Sequence, residues 1–283
     1  MPDSTAAVSL FGSPAAATLA TPLYARAHAD AIDPALRWDA SIARSAWDRL
    51  AALADEQGVD LQSIAAQDPA GVRGTIYRVR EFDAQVRDVA SRHEQIQVVS
   101  LGAGLCDRAS RLVDLHARFI SIDLAPVVNL RVQILPQDPS RNVAADVLGS
   151  DWHDEVDPLL PTVFLAEGLL MFLEPDQAVA LVGACARLVD APARFVADLY
   201  HDAAPGGTAE VTRRTGAPFR TAFGAPEELI AATPRWRVTD AVDIVARLGG
   251  EAASFAAGFA REHGAPPYAV LVLDSDGAAP TAP

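Results

Sequence analysis

From residue 97 onward, short apolar runs recur along the chain and end in glycine or in an acid. They are Gln97–Leu101, Arg118–Asp123, Asn142–Asp146, Thr162–Glu167 and Arg194–Leu199. Runs of this length that do not alternate with polar residues predict strands buried on both faces. Helical segments lie between most of them. The clearest starts at Glu174-Pro175, with proline at the first helical position, and stays apolar on one face to Val189. Trp236–Val238 and Tyr268–Leu273 read as further strands, with a helix between them near Ala241–His263. Strands alternating with helices predict an α/β fold, a doubly wound and mostly parallel seven-stranded sheet.

The residues before the first strand read differently. Ala-rich amphipathic stretches around Leu19–Ile32, Ile42–Glu56 and Ile76–Ser91 predict helices, with loops at Asp33-Pro34 and Gln67–Gly71. The pattern divides the chain into an N-terminal helical region over 1–92, an α/β domain over 93–275 and a tail at 276–283 expected to be disordered. The first dozen residues are small and polar and are expected to be loose.

Composition narrows the function classes. Half of the 283 residues are hydrophobic and only 6% are aromatic, so the core is expected to consist of Ala, Val, Leu and Ile. A formal charge of −14 argues against a nucleic-acid backbone and against an anionic membrane surface as partner. Every basic residue other than histidine is arginine. The chain therefore has no Schiff-base lysine, no P-loop lysine and no lysine general base. Cys106 and Cys185 lack the spacing of a disulfide framework or a zinc site, and the scattered histidines predict no metal. With neither a secretory leader nor a membrane span in the pattern, a cytoplasmic protein is expected.

The most informative segment is Val98–Leu105, where Gly102 and Gly104 follow a buried strand. Glycines there permit a tight turn and close approach of backbone to a ligand. Asp123 ends the next strand, nineteen residues beyond Gly104, where a ribose diol is held in a nucleotide site. A helix N-cap is the plainer role for the same side chain. A dinucleotide fingerprint requires a third glycine, but Asp107 stands at that position and its carboxylate would repel a pyrophosphate. S-adenosylmethionine carries no phosphate and brings a cationic sulfonium and ammonium, so acids suit it. Asp146, Glu167 and Asp198 add three more acids at or near strand ends, where ligands lie in such sheets.

Taken with Gly74–Val79, Ile122-Asp123-Leu124, Ala145-Asp146-Val147 and the run Ala166–Pro175, the glycine segment resembles the leucine carboxyl methyltransferase family. Order and spacing agree over roughly Arg73 to Val189. The resemblance implies an S-adenosylmethionine-dependent methyltransferase with a Rossmann-like fold, residues 1–92 forming a lid and 93–275 the catalytic domain. It implies that Arg78 pairs with the donor carboxylate, that Gly102 and Gly104 approach the methionyl part, and that Asp123 holds the ribose. Asp146 and Val147 would flank the adenine, and Glu167 would sit beneath the donor. The sequence departs from the family at Cys106-Asp107, where the acid stands one position late, and at Phe172, where tyrosine is frequent.

A carboxylate acceptor needs only a cation to orient it, whereas a hydroxyl benefits from a base. Arg108 and Arg111 are candidate cations, although structural salt bridges suit both. His201 is the candidate base. The expected activity is O-methylation of a small-molecule carboxylate or hydroxyl. Methylation of a protein C-terminus and a non-catalytic donor-binding role remain as alternatives.

Overall fold

The central apolar runs form strands because nearly every residue contributes to a core on one face or the other, whereas the edge strand at Arg141–Ala144 keeps exposed positions. β1 (Ile96–Leu101), β2 (Ala117–Asp123), β3 (Arg141–Ala144), β4 (Thr162–Ala166), β5 (Ala193–Tyr200), β6 (Arg237–Asp243) and β7 (Tyr268–Ser275) make one sheet in the order β3-β2-β1-β4-β5-β7-β6. All neighbouring pairs are parallel except those of β7, which runs antiparallel to β5 and β6. The computed structural model describes residues 14–204 and 217–277. The N-terminal dozen expected to be loose, and positions 278–283 of the expected disordered tail, lie outside the described residues.

Successive side chains on the central strands alternate between two cores. Val99, Leu101, Phe164, Ala166, Phe195 and Ala197 pack on one face with α7 (Pro175–Leu188). Val98, Val163, Leu165 and Val196 pack on the other with Phe82 and Val86. Those last two belong to α4 (Pro69–Ala90), whose first turns instead join a third core. That core unites α1 (Pro14–Ile32), α2 (Ser41–Glu56) and α3 (Leu61–Ala65) with α6 (Ala125–Ile134). The helix before residue 92 thus packs with the N-terminal helices at one end and with the sheet at the other.

Three expectations are corrected. Gln67–Gly71 was expected as a loop, but Asp68 accepts the Gly71 N–H at 2.7 Å and caps α4, with Pro69 in its first turn. Asp and Pro serve helix starts as readily as turns. The third strand ends at Ala144, so Asp146 does not close it. Asp146 instead turns the chain, accepting Leu148 N–H at 2.9 Å. β6 continues to Asp243, and the helix expected near Ala241 is α8 (Gly250–His263). A register shift between Val238 and Asp240 interrupts the alternation that marks a strand. Among the described residues, no helix is long and apolar enough to cross a membrane.

Candidate functional site

Strand order reverses between β1 and β4, which opens a crevice at their carboxyl ends. The Gly102–Gly104 turn leaves β1 at this point and Glu167 follows β4. Gly102 and Gly104 have φ of +62° and +52°, a region that costs other residues energy. A Cβ on Gly102 would lie 2.9 Å from Leu169 Cδ1, so a larger residue would have to displace that side chain as well as adopt the unfavourable φ.

Asp123, at the end of β2, braces this turn. Oδ2 accepts the Gly104 N–H and Oδ1 the Leu124 N–H, each at 2.8 Å. Burial raises its pKa, and the two N–H groups oppose that rise. Each carboxylate oxygen keeps a lone pair beyond these bonds. The helix-start and ligand roles expected for Asp123 are compatible in this geometry.

Arg78 projects from α4 to the ends of β4 and β5. Its Nε donates to Glu167 Oε1 at 3.2 Å, and Nη1 donates to Asp198 Oδ2 at 3.1 Å and to the Tyr268 hydroxyl at 3.2 Å. The Tyr268 hydroxyl donates in turn to Asp198 Oδ2 at 2.6 Å. Asp198 Oδ1 accepts the Gly168 N–H at 2.6 Å, which holds the turn after β4. No described residue bonds Arg78 Nη2. Burial opposes charge on Arg78, yet Tyr268, Asp198 and Glu167 hold its pKa well above the ordinary arginine value.

From Glu167 the charges alternate onward. On the short helix α5 (Arg108–Arg111), Arg108 Nη2 donates to Glu167 Oε2 at 2.6 Å and its Nε to Asp83 Oδ1 at 2.7 Å. Arg111 Nη2 donates to Asp83 Oδ1 at 3.0 Å, and Arg111 also pairs with Asp107. Arg26 of α1 closes the series, with Nε 3.0 Å from Asp107 Oδ1 and Nη2 donating to Leu105 O at 2.8 Å. The formal charges of Arg26, Arg78, Arg108 and Arg111 cancel those of Asp83, Asp107, Glu167 and Asp198. Burial pushes the Glu167 carboxyl up, but Arg78 and Arg108 outweigh it and hold the pKa at about 2. Asp107 is likewise held low by Arg111 and Arg26 against its burial.

The structure therefore brings together Arg78, Gly102, Gly104, Asp123 and Glu167 around one crevice. Arg108 and Arg111 are salt-bridge residues, which leaves neither as a free cation for an acceptor. Asp146 is exposed and Val147 is buried, with its carbonyl accepting the Trp152 Nε1–H at 3.2 Å. His201 is buried against Phe259 and His263, ring centroids 5.1 and 5.4 Å away, and contacts none of the Arg78 cluster. Its Nδ1 lies 3.1 Å from the Ala203 N–H and 2.9 Å from Asp202 Oδ1, while its buried Nε2 has no hydrogen-bond partner among the described residues. Asp83, Arg26 and Tyr268 join the cluster without a signal in the sequence. They sit within ordinary helix and strand patterns, and Tyr268 reaches Arg78 across 190 positions. No group of three or more metal-ligating side chains stands together among the described residues.

Comparison with known proteins accords with this geometry. Residues 10–186 match the model of the leucine carboxyl methyltransferase family. The chain is 30% identical over 169 residues to the tetracenomycin polyketide synthesis O-methyltransferase TcmP of Streptomyces glaucescens, covering 59% of this chain and 63% of that protein. It is 36% identical over 168 residues to a provisionally assigned S-adenosyl-L-methionine-dependent methyltransferase of Mycolicibacterium vanbaalenii, covering 55% of this chain and 56% of that one. The matched segments thus span about three fifths of these relatives' lengths. A crystal structure of a provisionally assigned methyltransferase from Thermobifida fusca shares the fold, with a TM-score of 0.55 at 14% identity and coverage of 92% and 94%. The chain belongs to the leucine carboxyl methyltransferase family.

Proposed function

We propose that the protein is an S-adenosylmethionine-dependent O-methyltransferase acting in the cytoplasm on a carboxylate or hydroxyl of a small molecule. The observation that carries this reading is Arg78. Its Nε and Nη1 are fixed by Glu167 and Asp198 beside the glycine turn, and Nη2 remains for a ligand carboxylate. A planar guanidinium suits that partner. Gly102 and Gly104 allow backbone contact with the methionyl chain, and the spare lone pairs of Asp123 suit the ribose hydroxyls. Asp146 and Val147 would border the adenine. When bound, the donor supplies an electrophilic methyl group, and the protein's own task is chiefly positioning.

A carboxylate acceptor is favoured over a hydroxyl. The acids of the cluster are committed to arginines, and the candidate base His201 is buried apart from them against Phe259 and His263. TcmP, named for polyketide synthesis, supports a small-molecule acceptor over a protein terminus.

Calorimetric titration with S-adenosylmethionine, S-adenosylhomocysteine and NADH tests the reading. Micromolar binding of the first two, lost in Asp123→Ala, is the expected result. Binding of NADH alone overturns the cofactor assignment. Donor binding without turnover of any acid or alcohol identifies a non-catalytic relative, and turnover on peptide C-termini identifies a protein methyltransferase.

A further inference from the structure

The chain is poor in aromatic residues, at 6%, yet rings from separate segments meet beside Arg78. Tyr268, whose hydroxyl bonds Asp198 and Arg78, stacks on Tyr200 with centroids 4.2 Å apart and planes 26° apart. Tyr200 meets Phe219 at 5.2 Å, and Phe219 meets Phe172 edge-on at 5.2 Å and 82°. The row starts at a buried ring and ends in partly exposed ones. Tyr268 is 9% exposed, whereas Tyr200, Phe219 and Phe172 all keep surface in contact with solvent. A row that served only as core would be sealed like Phe164 and Phe195, which are fully buried.

The outer rings are held in place by backbone. The Arg220 N–H donates to Met171 O at 2.8 Å, which fixes Phe219 against Phe172, and exposed Arg220 pairs with Glu174 at the rim. No described residue bonds the Tyr200 hydroxyl. Burial raises its pKa to about 12, so at neutral pH it is a hydrogen-bond donor.

We infer that Phe172, Phe219 and Tyr200 form the acceptor wall and select a flat aromatic molecule, with the Tyr200 hydroxyl donating to its oxygen substituent. The inference rests on the donor-site reading above and adds the acceptor class to it. Ring faces and edges favour offset or edge-on aromatic partners over flexible chains, which lose more rotamer freedom on docking. Phenylalanine at 172 makes the outer end of the row fully apolar.

The test uses naphthoic acid and undecanoic acid, acids of equal carbon count, on protein saturated with S-adenosylhomocysteine. Binding is measured by ligand-observed magnetic resonance and titration. Naphthoic acid is expected to bind at least about 10-fold more tightly, the equivalent of roughly 1.4 kcal/mol. Phe219→Leu and Phe172→Leu, which keep apolar volume but remove the ring, should abolish that preference while S-adenosylhomocysteine affinity stays unchanged. Equal or tighter binding of undecanoic acid, binding of neither acid, or a preference that survives both substitutions overturns the inference. Failure of S-adenosylhomocysteine to bind at the outset instead overturns the donor-site reading.

Discussion

Arg26 of α1 and Asp107 of the glycine turn form a buried ion pair, with Nε and Oδ1 3.0 Å apart and side-chain exposures of 3% and 2%. The pair ties the N-terminal helices to the loop expected to hold the donor. It also accounts for the displaced acid noted in the sequence, because one position late in the turn it meets both Arg26 and Arg111. Removing one partner leaves the other charged in a dry environment. Asp107→Ala is expected to cost about 3–5 kcal/mol. Chemical denaturation of Asp107→Ala, Arg26→Met and the double variant should show a coupling of about 0.5–3 kcal/mol. Strict additivity would mean that the pair does not act as one.

Legibility in the sequence followed physical locality. Gly102, Gly104 and Asp123 could be read because a tight turn and a strand end restrict residue type within a few positions. Glu167 could be read as an acid at a strand end, but Arg78 emerged only through resemblance, since nothing local distinguishes an arginine on a helix from a surface one. Asp83 bonds Arg108 across 25 positions and Tyr268 bonds Asp198 across 70. Such contacts are set by packing of elements, which hydrophobic periodicity does not encode. The extent of β6 was hidden for a different reason, because its bulge shifts the period midway through the strand.

Glu167 gives the protein an acid-sensitive limb. Its ordinary pKa of 4.5 is lowered to about 2 in the folded state, where Arg78 and Arg108 overcome the effect of burial. A depressed folded pKa contributes stability that is fully present above the unfolded value and is lost as pH falls through the folded one. The contribution is about 3 kcal/mol and should decline between about pH 4.5 and pH 2. Glu167→Gln should be less stable at neutral pH and show a shallower loss over that window. Parallel acid-unfolding curves for the two proteins would remove Glu167 from this role.

Gly102 and Gly74 make a matched pair. Gly102→Ala places a Cβ at a φ of +62° and 2.9 Å from Leu169 Cδ1, so a destabilisation of about 1–2 kcal/mol is expected, with weakened donor binding. Gly74 lies within α4 with open space where a Cβ would stand. Gly74→Ala should therefore stabilise by about 0.5–1 kcal/mol through helix propensity. Thermal melts of both variants check the contrast in sign.

Tyr268→Phe separates positioning from packing. The substitution keeps the ring that stacks on Tyr200 and removes only the hydroxyl, which donates at 2.6 Å to Asp198 and accepts from Arg78 at 3.2 Å. Asp198 is fully buried, so losing this donor should cost about 1–3 kcal/mol of stability. Arg78 loses one of the groups that orient it. If its role is to hold the donor carboxylate, KM for S-adenosylmethionine should rise about 10-fold, roughly 1.4 kcal/mol, with little change in kcat. A purely structural hydroxyl would instead lower stability while leaving both constants in place. A fall in kcat at constant KM would put Tyr268 next to the reacting atoms rather than behind Arg78.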